Sequence, residues 1–332
     1  MTLSVRDVGW PEEFHVRYPC SESQISDTLA RVNNRLHDLR LSETVLDSLV
    51  RLYLPLAMYL YELSESEPNR ALVIGFNGAQ GSGKSTAVKI LRVLLRTLYQ
   101  QHVCIFSIDD LYLTKRERII LAQDVHPLLV TRGVPGTHDI QLGITLMDEL
   151  LNANTESRVP VVQFDKARDD RCELPDWEEF YGKPDIILFE GWCVGAVPQP
   201  EFALTASVNE LEEREDPDLV WRRYVNSKLH DYQRLFGLCD LLVMLKVPSY
   251  DKVFEWRALQ EQKLADEVKQ SMDSRPLTIM NDAELRRFIM HYQRLTCWML
   301  EEMPSRVDFL LALDGNHNIN TISIKEIRKE PV

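Results

Sequence analysis

No CxxC pair occurs anywhere in this chain. Its six cysteines (Cys20, Cys104, Cys172, Cys193, Cys239 and Cys297) are scattered along 332 residues. That spacing argues against a zinc site, a redox motif and a disulfide framework, and points to a reducing compartment. Cys104 and Cys239 lie in apolar runs and read as small core residues. A long Lys/Arg block is missing too, and 38 basic against 51 acidic residues leave a formal net charge of −13. Such a chain repels polyanions, which disfavours nucleic acid and anionic membrane as partners while still allowing a small anion held by local cations. The first residues, MTLSVRDVGWPEEF, contain no apolar signal-peptide region. The most apolar stretch, Leu49 to Leu63, carries Arg51 and Glu62 and is too short to span a bilayer. Together these absences predict a cytoplasmic, soluble protein. There are no repeats or low-complexity tracts, and the oligomeric state stays open.

What is present suits a globular α/β protein: 45% hydrophobic and 27% charged residues, in a chain long enough for a large core. Residues 1–69 read as a helical N-terminal extension. Ser21 opens one amphipathic stretch (Ile25, Leu29, Val32, Leu36), Ser42 opens a second (Val45, Leu46, Leu49, Leu52, Leu56), and the polar run from Glu62 to Asn69 reads as a connector. Residues 70–332 read as the main domain, in which strands and helices alternate as in a parallel sheet covered on both faces. The strands expected are Leu72–Phe76, Val103–Ile108, Ile186–Phe189 and Leu241–Val247, with another extended piece at Val159–Phe164 and one or two edge strands between Asp308 and Ile324. Helices are expected at Thr86–Tyr99, after Asp139, and at about 249–270 and 281–300.

The run Gly78-Ala79-Gln80-Gly81-Ser82-Gly83-Lys84-Ser85 fits G-x-x-x-x-G-K-[ST] in full and lies between an apolar strand and a helix. Glycines there let backbone N–H groups turn towards phosphates, and the helix N-terminus, continuing through Thr86, adds partial positive charge. Lys84 then reaches the β- and γ-phosphates, and Ser85 can ligate Mg²⁺. The guanine-reading Asn-Lys-x-Asp run is absent, as are a Leu-Ser-Gly-Gly-Gln signature and the acidic pair of motor-like ATPases. Instead, acids stand at the carboxyl ends of two further strands, the edge where open α/β sheets bind ligands. Asp109, in Ser107-Ile108-Asp109-Asp110, suits a general base for a hydroxyl acceptor, with Asp110 a helix cap or supporting group; both also fit as turn residues. Glu190, at the end of Ile186–Phe189, suits an acid that orients Mg²⁺ through water, or a capping acid at a tight turn.

Three further runs carry cations. Arg132, in Arg132-Gly133-Val134-Pro135-Gly136-Thr137-His138-Asp139, offers a planar fork for a carboxylate or phosphate, and His138 fits either a substrate contact or a structural histidine. Lys166, Arg168 and Arg171 interleave with acids, so substrate binding competes with a solvated ion-paired surface. Arg257 is a candidate lid arginine for the transferring phosphoryl group, against an ordinary outward arginine on an amphipathic helix.

Taken in order, GFNGAQGSGKST, SIDDLYLT, HPLLVTRGVPGTHDIQLG, FDKARDDR, ILFEGWCVG, WRALQE and MNDAELRRFIMHY closely resemble the P-loop D-glycerate 3-kinase family of plants, fungi and cyanobacteria, relatives of uridine kinase, phosphoribulokinase and bacterial pantothenate kinase. The resemblance covers Ala71 to about Trp298. It implies a P-loop NTPase fold with a parallel sheet of about five strands and helices on both faces, and transfer of the ATP γ-phosphoryl group to the 3-hydroxyl of D-glycerate with Mg²⁺. It again selects Asp109 as base, with Tyr112 lining the acceptor pocket and Glu190 as the Mg-associated carboxylate. The implied partner is a small anionic hydroxyl compound. Pantothenate, uridine or a sugar phosphate as acceptor, or a nucleotide-dependent switch protein, are the alternatives.

Overall fold

The computed structural model describes residues 9–39, 41–259 and 280–325. It opens with three helices, α1 (Glu12–Arg17), α2 (Glu22–Leu36) and α3 (Glu43–Ser66). The Ser21 and Ser42 side chains accept from Gln24 N and Val45 N, satisfying orphan donors of the first turns of α2 and α3. The segment expected as a connector from Glu62 instead continues α3 as far as Ser66. Tertiary partners override its polarity: Glu62 accepts from Arg17 and the Tyr18 hydroxyl, and buried Ser64 donates to Gln101 Oε1 at 2.9 Å.

The alternating part follows with β1 (Leu72–Gly78), α4 (Lys84–Tyr99), β2 (Val103–Ser107), α5 (Lys115–Asp124) and α6 (Ile140–Leu151). Four short strands come next, β3 (Arg158–Val161), β4 (Phe164–Asp165), β5 (Asp170–Arg171) and β6 (Glu178–Tyr181), then β7 (Ile186–Gly191). The chain continues through α7 (Glu210–Glu215), α8 (Val220–Phe236), β8 (Leu241–Lys246), α9 (250–259), α10 (Asp282–Glu302), β9 (Phe309–Leu313) and β10 (Ile319–Ile324). The part of the expected 249–270 helix beyond 259 lies outside the described residues.

Six strands form one sheet in the order β10-β9-β8-β1-β7-β2. Five are parallel, and β10 turns back through Asp314–Asn318 as an antiparallel edge. The extended piece expected at Val159–Phe164 is split between β3 and β4, and neither joins this sheet; they make two separate antiparallel ribbons, β3–β6 and β4–β5. Side chains alternate across the sheet. Ile74, Phe76 and Leu188 pack with α4 and with Phe14, Val50, Leu56 and Leu60 of the N-terminal helices, whereas Val73, Ile187 and Phe189 pack with α6, α8 and α10. Helices therefore cover both faces, and α1–α3 share a core with the sheet. Among the described residues, no helix is long and apolar enough to cross a membrane.

Helices α5, α7 and α8 arise where no helix was expected, and buried charge explains why. Arg118 of α5 is 2% exposed and donates to the carbonyls of Leu113, Val130 and Asp169. Glu212 of α7 accepts from Arg294 of α10 at 2.7 and 2.6 Å and lies 3.5 Å from Arg222 of α8, which also donates to Asp216 at 2.8 Å. Such polar anchors leave little apolar period in α5 and α7, whereas α8 does carry an apolar face (Trp221, Leu229, Tyr232, Leu235, Phe236). Removing the Glu212 carboxylate leaves buried Arg294 without an acidic partner, while Arg222 keeps Asp216. We expect Glu212→Ala to lower the unfolding free energy by about 3–5 kcal/mol. Urea denaturation checks this, and a loss below about 1 kcal/mol, the ceiling for an exposed pair, would mean that Arg294 finds other partners.

Candidate active site

The glycine-rich loop leaves β1 at Gly78, where a Cβ would lie 2.4 Å from Ser82 Oγ. Gly81 and Gly83 have φ of +80° and +90°, a backbone that side-chain-bearing residues rarely adopt, and Gly83 caps α4 so that Lys84 starts the helix. The adjoining strand end is fixed by the buried Asn77 amide, which donates to the carbonyls of Trp192 and Val194 at 3.0 and 2.9 Å. At this edge opens a cavity of about 300 Å³. Its walls are Gln80, Gly81, Lys84 and Ser85 from the loop, Asp109 and Tyr112 after β2, and Glu190 and Trp192 at the end of β7. Arg132, Lys166 of the β4–β5 hairpin, Arg257 of α9, and Phe288 and Tyr292 of α10 complete it.

The sheet register explains the meeting: Glu190 pairs with Phe76 on one side and with Ser107 on the other. Ser85 Oγ donates to Glu190 Oε1 at 2.8 Å, and Lys84 Nζ lies 3.9 Å from Glu190 Oε2. Asp109 accepts from the Tyr112 hydroxyl through Oδ1 at 2.8 Å and from Lys166 Nζ through Oδ2 at 2.7 Å. Burial alone raises the pKa of Asp109, but the charges of Lys166 and Lys84 and these two hydrogen bonds outweigh it and hold the carboxyl well below its usual range. Burial also keeps Tyr112 protonated, far above the ordinary phenol value, so it remains a donor.

Ten of the candidate residues thus share one cavity: Gln80, Gly81, Lys84, Ser85, Asp109, Tyr112, Arg132, Lys166, Glu190 and Arg257. Ala79, Ser82 and Thr86 do not line it, and the first two are buried. His138 and Arg171 do not reach it either. His138 is buried behind Tyr112, its ring stacked on the tyrosine at 4.7 Å and its Nδ1 2.6 Å from the Tyr232 hydroxyl. Burial pushes its pKa down to about 4, against the opposing pull of Asp109, so it is neutral at pH 7. Arg171 braces the same tyrosine from its backbone, donating to Tyr112 O at 2.9 Å.

Trp192, Phe288 and Tyr292 were not anticipated. Trp192 directly follows the Glu190-Gly191 pair, and Phe288 and Tyr292 stand four apart on a helix, a spacing that reads as core. Two of them also hold the Arg132 loop: Trp192 Nε1 donates to Gly133 O at 3.0 Å and the Tyr292 hydroxyl to Arg132 O at 3.1 Å.

No family model matches the chain. Among curated proteins, the uncharacterized kinase mug58 of Schizosaccharomyces pombe is 31% identical over 272 residues, covering 79% of this chain and 89% of that protein. The chain belongs to that kinase family. The chloroplastic D-glycerate 3-kinase of Arabidopsis thaliana is 28% identical over 306 residues (87% of this kinase, 64% of that protein). The probable ATP-dependent kinase TDA10 of Saccharomyces cerevisiae is 28% identical over 295 residues (84% and 96%). The solved structure of YGR205w protein superposes on this kinase with a TM-score of 0.64 at 26% identity, over 85% of this chain and 98% of that one. The D-glycerate 3-kinase from Cryptococcus neoformans var. grubii superposes at 0.65 and 20% identity (81% and 97%), a likeness of fold. The kinase is thus an ATP-dependent phosphotransferase built on the P-loop kinase fold.

One acid beside the cavity is perturbed in the opposite sense from Asp109. Asp110 accepts from Phe164 N at 3.2 Å, and burial raises its pKa to about 6 despite that hydrogen bond and the Lys166 charge. Its folded value lies above its unfolded one. The stability it contributes is therefore complete below about pH 4 and lost as pH rises through about 6. Asp110→Asn should escape that loss. The variant's unfolding free energy minus that of the unaltered protein should be larger at pH 7 than at pH 4, measured by urea titration at both; an equal difference would refute the assignment.

Proposed function

We propose that this kinase transfers the γ-phosphoryl group of ATP to the 3-hydroxyl of D-glycerate, with Mg²⁺ and in the cytoplasm. The observation that carries this reading is the shared cavity of about 300 Å³, in which a carboxylate, Asp109, and an arginine, Arg132, stand beside the P-loop lysine. A small acceptor that presents a reacting hydroxyl and a carboxylate matches those two groups. The names of the Arabidopsis and Cryptococcus relatives support the same acceptor.

In this reading the loop from Gly78 to Thr86 grips the triphosphate through its N–H groups, and Lys84 holds the β- and γ-phosphates. Asp109 takes the hydrogen bond of the acceptor hydroxyl and aims its oxygen at the γ-phosphorus. Each Asp109 oxygen has one partner, from Tyr112 or Lys166, which leaves lone pairs for that hydroxyl. Arg132 forks onto the acceptor carboxylate, and Lys166 and Arg257 offset charge on the transferring group. His138 and Arg171 act behind Tyr112, holding it against Asp109. The helices of residues 1–69 serve as a structural layer.

The donors at the loop fit Mg²⁺. Glu190 Oε2 is buried with no hydrogen-bond partner, and Ser85 Oγ sits beside the same carboxylate. One hydroxyl and one acid suit an ion that keeps several waters and takes phosphate oxygens. Bound there, Mg²⁺ supplies charge neutralisation on the β- and γ-phosphates.

Coupled ADP-release assays with D-glycerate, pantothenate, uridine and ribulose 5-phosphate test the acceptor. We expect turnover with D-glycerate well above the acceptor-free rate, and its absence under saturating ATP would remove the assignment. The Asp109 role has its own test. Asp109→Asn should lower phosphoryl transfer by about 10²–10⁴-fold while ATP binding, followed by calorimetry, stays near that of the unaltered protein. Retained transfer would make Asp109 structural.

A further inference from the structure

The β4–β5 hairpin brings a second carboxylate against Arg132, which lines the cavity. Asp169 stands at its tip with φ of +57°; its Oδ1 accepts from Arg132 NH1 and is ion-paired with Arg118 NH2 at 2.9 Å. The two arginines differ. Arg118 is almost fully buried and locked by three carbonyls, one of them Asp169's own. Arg132 is a half-buried arm whose guanidinium lies 5.6 Å over the Phe164 ring. Asp169 is thus fixed from behind and hands that fixity forward.

We propose that Asp169 is a positioning residue that sets the preference for an anionic acceptor, by holding Arg132 in its carboxylate-binding orientation. This rests on the reading of Arg132 given under Proposed function. A free arginine loses much side-chain entropy on forming a bidentate pair; an arm already pinned at one nitrogen and stacked on a ring loses less. Asp169 engages NH1 alone, so Nε and NH2 remain for a planar carboxylate. The hairpin's base is tied down independently: Asp110 accepts from Phe164 N, and Asp170 accepts from Lys115 N at 2.9 Å. Charge at Asp169 is therefore separable from the hairpin's fold.

Asp169→Asn tests this directly. Asn tolerates a positive φ, and Arg118 keeps its carbonyl partners, so the fold should persist; Asp169→Gly, free of strain at that φ, provides the same comparison if the Asn variant melts early. With the full chain and ATP, we expect KM for D-glycerate to rise by about 10- to 100-fold, with kcat and KM for ATP within about twofold. In an Arg132→Ala background the same change should add nothing. A lowered KM for the acceptor would make Asp169 a competitor of the substrate and overturn the proposal. An unchanged KM, an equal rise in KM for ATP, or a full additive effect in the Arg132→Ala background would overturn it too. If the unaltered kinase ignores glycerate but uses pantothenate, the proposed acceptor falls, and the same measurements on pantothenate decide the inference. Activity confined to uncharged acceptors would overturn both.

Discussion

The hydrogen bond from Ser85 to Glu190 exists because β1 and β7 are adjacent, parallel and in a fixed register. Glu190 lies opposite Phe76, two residues before Gly78, so the P-loop must turn back over the carboxylate. On its other side β7 pairs with β2, which ends at Ser107 and delivers Asp109 two residues later. Three strands thus bring a lysine, a hydroxyl and two acids to one edge without any long-range adjustment of loops. A shift of one residue in β7 would turn Glu190 to the opposite face of the sheet. The buried Asn77 amide, bonded to the chain just after β7, works against that slip.

Much of this was legible in the sequence because it follows local rules. The glycine loop needs its glycines for backbone geometry, and the largely apolar runs Val103–Ile108 and Ile186–Phe189, followed by Asp109 and Glu190, read as strands that carry acids. The caps at Ser21, Ser42 and Asp139 stand where the sequence put them. The illegible parts are those decided by tertiary contact. Phe288 and Tyr292 show only a helical period, and nothing in a period says whether the inward face meets core or cavity. His138, open in sequence between a substrate contact and a structural histidine, is decided by the same kind of contact: the Tyr112 and Tyr232 rings enclose it.

Charge follows the same division. The stretch Phe164–Arg171 is ambiguous in sequence between an ion-paired surface and a binding loop, and it is both: Arg168 stays exposed and pairs with Asp165, while the other charges turn inward. Lys166 meets Asp109, Asp169 meets Arg132, and Arg171 reaches the Tyr112 backbone. Alternation of sign therefore let one short hairpin neutralise both ends of a cavity in a chain of net charge −13. The long-range field of such a chain repels an anionic ligand, and within a Debye length of these cations the local terms prevail.

The partners of Asp109 set a compromise. Lys166, Lys84 and Tyr112 stabilise its carboxylate against the cost of burial, and in doing so reduce its basicity. A strong proton acceptor would need a pKa near neutrality. Phosphoryl transfer asks less of its base. The transition state is loose, with little bond formation to the attacking oxygen, so a proton held on that oxygen is lost late and orientation matters more than driving force. A carboxylate ionised across the whole neutral range, with each oxygen already fixed by one donor, presents its remaining lone pairs in fixed directions. The same geometry that weakens Asp109 as a base makes it a better guide for a hydroxyl.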